Sequence, residues 1–181
     1  WIRTTEAFRK VSLEARPGHV TIPIIYGIDS VHGASNFKGA VVFPHNIGLG
    51  AMRDPALIEQ IGRVTAAETA AAGADWAFAP AVAVPRDDRW GRSYEGYAEL
   101  PDITRDYSAA MVRGLQGAPG EARIQNGNVA ATVKHFLADG GTENGADQGD
   151  ARISEQDLIH IHAPGYVSGI QAGAMTFMVS F

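Results

Sequence analysis

Asn128–Asp150 reads NVAATVKHFLADGGTENGADQGD, and its first half decides the fold. Val129–Val133 is a short, β-branched apolar run that stops abruptly at Lys134-His135. A run of that length and composition is a buried strand rather than a helix face. A polar, glycine-rich loop follows, with Asp139, Gly140, Gly141, Thr142, Glu143 and Gly145. Charged residues placed where a buried strand ends are how α/β proteins build sites.

Working outward, the same pattern recurs. Ile22–Tyr26 (IPIIY) reads as a buried strand running into Gly27-Ile28-Asp29-Ser30-Val31-His32-Gly33. Asp75–Pro80 (DWAFAP) reads as the next strand and leads into a polar stretch, Pro85–Glu99, that holds Arg86, Asp87, Asp88, Arg89, Trp90, Arg92 and Glu95. Ala174–Val179 (AMTFMV) reads as a fourth strand. Helices fill the intervals. Thr4–Glu14 places Ala7, Phe8 and Val11 on one face. Asp54-Pro55 is an N-cap followed by proline at the first helical position, with Leu57, Ile61 and Val64 as the buried face and Gly73 as C-cap. Asp102 caps a helix to about Gln116, with Ile103, Tyr107, Met111 and Leu115 inward. Ala118–Asn128 reads as a loop, and Ser154 with Asp157 starts a helix through Ile170.

Strands separated by helices imply right-handed parallel crossovers. Two closures satisfy that, an open doubly wound sheet and a (β/α)8 barrel. The open sheet announces its ligand by a glycine fingerprint after the first strand. Gly48-Leu49-Gly50 lacks the third glycine and follows no strand. In a barrel every strand end faces one shared site, and here three successive ends carry Asp29, the Arg92/Glu95 loop and Lys134-His135. The α/β class with parallel strands is therefore expected as a TIM-type barrel. A full barrel takes about 250 residues, so these 181 residues make up part of one.

Composition narrows the function. Net charge is −5 with no basic cluster, which gives nucleic acid no surface to bind. No apolar run reaches membrane-spanning length, and no charged-then-apolar leader stands at the N-terminus. The chain opens on Trp1-Ile2-Arg3 without methionine, which leaves the native start open. With no cysteine, disulfides, thiolate catalysis and Cys-zinc sites are excluded. His160 and His162 diverge by roughly 200° on a helix and cannot share an ion. His32 and His45 show no ligand spacing, and no Gly-x-Ser-x-Gly elbow exists. No metal or cofactor is expected.

The remaining candidates are Asp29, Arg92, Lys134 and His135. Asp29 reads equally as a base, an acceptor or a turn residue. Arg92 can bind a ligand while pairing with Glu95. Adjacent strand residues point to opposite faces, so Lys134 and His135 reach one ligand only where the strand breaks. Three donors converging with a carboxylate suit a polyhydroxylated ligand better than a phosphate, which Asp29 would repel.

These residues carry a resemblance. GIDSVHG (Gly27–Gly33), FPHNIGLGA (Phe43–Ala51), DDRWGRSYEGYAE (Asp87–Glu99) and KHFLADGGTENGADQGD (Lys134–Asp150) resemble, in order and spacing, the N-terminal barrel domain of glycoside hydrolase family 3, closest to its β-glucosidase and glucan exohydrolase branch. The resemblance implies a retaining mechanism with a covalent glycosyl-enzyme. It implies that Asp29, Arg92, Lys134 and His135 bind the terminal glucosyl unit, with Lys134 and His135 as a donor pair. No catalytic residue is expected within 1–181. The nucleophilic aspartate is expected on a later barrel strand beyond Phe181, and the acid/base glutamate in a following α/β domain. Residues 1–181 are thus expected to be a partial barrel, cut before the nucleophile strand. Asp88 stands where the family often has proline, which questions the local turn. The family's N-acetylglucosaminidases carry an Asp-x-His dyad after Lys-His-Phe. Here Asp147 is followed by Gln148-Gly149, so that activity ranks second. A sugar-binding module without catalytic carboxylates is the reading from another class. The polysaccharide substrate favours a periplasmic or secreted location.

Overall fold

A computed structural model describes residues 1–120, 124–125 and 127–181. Part of the expected loop Ala118–Asn128 lies outside the described residues. The strands are β1 (Gly27–Ile28), β2 (Trp76–Ala77), β3 (Ala130–Phe136) and β4 (Thr176–Val179). They form one parallel sheet in the order β1-β2-β3-β4. Sheet order equals chain order, so no crossover reverses direction. A doubly wound sheet needs that reversal, and a barrel advances one strand at a time. The sheet is a TIM-barrel-like arc, not closed within these residues.

The helices are α1 (Ile2–Ser12), α2 (Asn46–Ala51), α3 (Pro55–Ala71), α4 (Pro101–Gln116), α5 (Glu155–Asp157) and α6 (Pro164–Gln171). Helix α4 packs against both α3 and α6. Ile58, Ile61, Tyr107, Met111, Leu115 and Tyr166 close the core over Val129, Ala131 and Val133. A Cβ on Gly114 would meet the Glu59 carbonyl oxygen and come within 2.8 Å of Gly62 Cα, so the α3–α4 crossing needs both glycines. Gln116, a fully buried amide, accepts from the Ala131 and Met175 N–H groups and donates to the Gly173 carbonyl. It joins the end of α4 to β3 and to the entry of β4.

The structure corrects several expected boundaries. Ile22–Tyr26 is not a buried strand: Ile22 and Ile25 are exposed, and pairing starts at Gly27. Only β2 flanks this edge, so the apolar run lacks a second covering layer among the described residues. Strand β2 is shorter than the expected Asp75–Pro80, although ladder-like bonds from Phe78 N to Ile28 O and Thr132 N to Ala79 O extend its path. Phe8 and Val11 of α1 are exposed, while Thr5 is buried and Arg9 pairs with Asp75 at 2.8 Å. On α3, Ile61 is buried as expected, but it is flanked on the inner face by Ile58 and Thr65, whereas Leu57 and Val64 are exposed. Asp54 caps α3 through Leu57 N as expected, and Gly73 follows its C-cap with φ +89°. Asp102 does not cap α4; Leu100 holds that position, Pro101 starts the helix, and Asp102 pairs with Arg105. The expected helix from Ser154 to Ile170 is divided. Ser154 caps α5, a π-turn spans Leu158–His162, and Pro164 opens α6. Proline lacks the N–H that an uninterrupted helix would require there. His160 ends exposed and His162 buried.

Candidate active site

Each loop that follows a strand is fixed before it presents a side chain. After β1, Ser30 is buried and shares a hydroxyl hydrogen bond with Thr69 of α3 (3.1 Å). His32 is pinned to Phe43 twice: its Nδ1–H donates to the Phe43 carbonyl (2.7 Å), and its own carbonyl accepts from Phe43 N (2.9 Å). Asp29 stands between the end of β1 and the Ser30 anchor, with its side chain 66% exposed.

The loop after β2 is held by Arg86 N donating to the Gly140 carbonyl and by the Trp90 indole N–H donating to Asp147 (2.9 Å). Asp88 takes the second position of a turn closed by Trp90 N to Asp87 O, the position where proline is favoured. The turn forms without proline because the Asp87 carboxylate accepts from Arg89 N and pairs with the Arg89 side chain. Those contacts hold the Asp87 carboxyl down at a pKa of about 2, with the Arg89 side-chain hydrogen bond the main cause. Asn46, fully buried at the start of α2, donates to the Glu95 carbonyl (2.7 Å) and seats the turn that carries Arg92. Arg92 grips Glu95 with both prongs, Nε at 2.8 Å and Nη2 at 2.9 Å. That contact, ahead of the opposing effect of burial, raises the guanidinium pKa further.

Strand β3 breaks at the expected place. Its register against β4 shifts between Lys134 and Phe136, and the Lys134–His135 and Phe136–Leu137 peptides are cis, as is Ala79–Pro80. Lys134 is 4% exposed and its Nζ donates to Asp29 Oδ1 at 2.7 Å. His135 Nδ1 lies 2.9 Å from Asp139 Oδ2, and its Nε2 lies 3.3 Å from Arg92 Nη2. The glycines of the following loop are there for close approach. A Cβ on Gly140 would lie 2.8 Å from the Val84 carbonyl oxygen, and one on Gly145 2.7 Å from Trp90 N.

Asp29, Arg92 and Lys134 thus line one cavity of about 250 Å³, and His135 meets it through Arg92. The cavity is below the roughly 300–1,000 Å³ of drug-sized pockets, so it fits a single ring rather than a length of chain. Its four lining charges cancel: Asp29 faces Lys134, and Glu95 faces Arg92. A charge-balanced set of donors and acceptors matches a neutral polyhydroxylated ligand better than an anion. A larger groove of about 610 Å³ lies between α1 and residues 16–24, walled by Phe8, Val11, Val20, Ile22 and Ile24 together with Glu14, Arg16 and His19.

Sequence reading missed the aromatic wall. His32 and His45 lie ring to ring with centroids 3.9 Å apart and planes tilted by 34°, and Tyr94 meets His45 edge-on at 4.7 Å. Partial burial and the His32 charge lower the His45 pKa against the pull of Glu95. Their spacing of 13 residues carries no periodic signal; only the fold of the loop between them joins the rings. Asp139 was missed too, although its four-residue offset from His135 past a breaking strand was a usable clue. Among the described residues, no group of three or more His, Asp or Glu side chains is placed to share a metal ion.

Comparison with known proteins points to one family, whose members here include β-glucosidases and β-xylosidases. The family model described as the glycosyl hydrolase family 3 N terminal domain matches residues 1–181. The crystal structure of an exo-1,3/1,4-β-glucanase from a Pseudoalteromonas species superposes with a TM-score of 0.96 at 47% identity, over 99% of this chain and 23% of that one. A lysosomal β-glucosidase of Dictyostelium discoideum is 33% identical over 99% of this chain and 22% of its own length. A periplasmic β-glucosidase of Salmonella typhimurium is 35% identical over 88% of this chain and 20% of its length. The chain therefore spans about a fifth of the length of the curated relatives it matches.

Proposed function

The chain belongs to glycosyl hydrolase family 3, and from that premise we propose that it supplies the glucosyl-binding pocket of an exo-acting β-glucosidase or exo-1,3/1,4-β-glucanase. The reaction is hydrolysis of terminal non-reducing β-D-glucosyl residues from β-glucans or gluco-oligosaccharides. The single observation that carries this is the charge-neutral cluster of Asp29, Lys134, Arg92 and Glu95 around a cavity that fits one ring. Asp29 accepts from sugar hydroxyls, Lys134 and Arg92 donate to them, and His135 stands behind Arg92. The likeness to the Pseudoalteromonas exo-1,3/1,4-β-glucanase supports the substrate class.

A retaining glycosidase uses two carboxyl groups about 5–5.5 Å apart, one attacking the anomeric carbon and one protonating the leaving oxygen. Both carboxylates lining this cavity are already engaged, Asp29 by Lys134 and Glu95 by Arg92. The nucleophile and the acid/base therefore come from elsewhere in the full-length protein, from later barrel strands and a following α/β domain. A preparation of residues 1–181 alone has no turnover under this reading. No helix among the described residues is long and apolar enough to cross a membrane. The periplasmic relative supports a periplasmic or secreted location.

The test is hydrolysis by the full-length protein of p-nitrophenyl β-D-glucoside and of laminari- and cello-oligosaccharides, with glucose released from the non-reducing end. Exclusive cleavage of the β-N-acetylglucosaminide would transfer the assignment to the hexosaminidase branch. Tight glucose binding without any turnover would make the protein a sugar-binding module.

A further inference from the structure

Behind the pocket lies a carboxylate that touches none of its space. Asp139 opens the short helical turn after β3, and its side chain is 10% exposed. Both of its oxygens accept. Oδ1 takes the Gly140 N–H at 3.1 Å, and Oδ2 faces His135 Nδ1 at 2.9 Å. A carboxylate can only accept, so His135 carries its proton on Nδ1. That leaves Nε2 with a lone pair directed at Arg92 Nη2, 3.3 Å away, which can only donate. Arg92 Nη2 and Nε meanwhile donate to Glu95. The guanidinium is thus held from two sides, by Glu95 and by His135, and neither contact uses its Nη1 group.

We propose that Asp139 is a positioning residue for the glycosidase pocket: it fixes the Nδ1–H tautomer of His135 and, through the Nε2 lone pair, the orientation of Arg92. Hydrogen-bond partners of this kind commonly fix a histidine's tautomer and ring plane in functional sites. The inference rests on the glucosyl-pocket reading.

Asparagine at 139 discriminates sharply, because an amide has one acceptor where two are needed. The Gly140 N–H is fixed by the backbone and claims the amide oxygen. The amide NH2 then faces His135 Nδ1 and drives the proton to Nε2, where it opposes an Arg92 N–H. In the full-length enzyme, Asp139→Asn is expected to weaken D-glucono-1,5-lactone binding by roughly tenfold to a hundredfold, the range for a lost hydrogen bond to a charged group. In a His135→Gln background, where the coupling imidazole is gone, the same change is expected to have an effect of about threefold or less, as uncoupled sites behave. An equal effect in both backgrounds overturns the proposal, because Asp139 would then act through packing alone.

A second measurement needs no variant to fold. Nitrogen NMR of the wild-type enzyme with labelled histidine is expected to show His135 as the Nδ1–H tautomer; an Nε2–H or doubly protonated ring near pH 7 overturns the proposal. The functional reading fails separately, if the wild-type enzyme neither cleaves aryl β-glucosides nor binds the lactone, and the tautomer can be read in either case.

Discussion

Asp29 and Lys134 form one ion pair, but removing either partner should have very different consequences for stability. The side chain of Lys134 is 4% exposed and that of Asp29 is 66% exposed. Asp29 is the one hydrogen-bond partner of Lys134 Nζ among the described residues. Asp29→Ala leaves an ammonium group in a buried wall. Breaking a fully buried pair costs about 3–5 kcal/mol, and a lost hydrogen bond to a charged group about 1.5–3. Water reaches Nζ from the side Asp29 vacates, so the lower range applies and about 2–3 kcal/mol is expected. Lys134→Met removes the charge from the wall, puts a chain of similar length there, and leaves a carboxylate already in water. Its cost is expected to be about 0–1 kcal/mol. A domain of this size melts about 2–4 °C lower for each kcal/mol lost. Asp29→Ala should therefore lower the first melting transition of the full-length protein by about 4–12 °C, and Lys134→Met by about 4 °C at most. Titration with D-glucono-1,5-lactone should show both variants binding several-fold more weakly or worse, since each removes a pocket group. If Lys134→Met melts as early as Asp29→Ala, the burial asymmetry is not what governs the pair and the reasoning fails.

Other expectations follow from single contacts. Arg92→Lys cannot keep both prongs on Glu95 and the contact to His135; kcat/KM on p-nitrophenyl β-D-glucoside is expected to fall by about tenfold or more, because a lysine does not replace a bidentate guanidinium. Gly114→Ala drives a methyl into Glu59 and Gly62 of α3; the helices must separate, and urea unfolding should show about 1–3 kcal/mol of lost stability. His162 has its pKa lowered by burial first and by Arg86 next, against Asp139 and Asp157. Below the ordinary histidine value of about 6.5 the unfolded chain takes up a proton that the folded chain refuses, so stability present at neutral pH is lost as pH falls through that window. Melting at about pH 7 and pH 5 should show a larger acid loss for wild type than for His162→Gln, and equal losses would contradict the assignment.

Sequence by itself determined the parallel α/β architecture, the barrel-like order of strands and the residues that gather at the strand ends. These were legible because they are local. Val129–Val133 cannot be a solvated segment, Asp54-Pro55 caps a helix through its own neighbour Leu57, and Lys134-His135 interrupts an apolar run at a definite place. Edges and faces were less legible. Ile22–Tyr26 has strand composition, but a strand exists only where another backbone pairs with it, and pairing begins at Gly27. The face of α3 depended on where Gly62 lets α4 approach, which moved the buried row from Leu57 to Ile58.

Only tertiary structure decided how the site residues divide their work. Nothing within the sequence says that Lys134 spends its charge on Asp29, 105 positions away, or that His135 meets Arg92, 43 positions away. Nor does it join His32 to His45, or give Asp139 two donors at once. Hydrogen bonds and ring contacts act over about 3–5 Å in space, whereas residue spacing measures distance along the chain. The two agree within a helix turn or a strand pair and part company wherever a crossover intervenes. The loops that build this pocket come from three different strand ends, so their chemistry is legible one residue at a time and their geometry only after the sheet has brought them together.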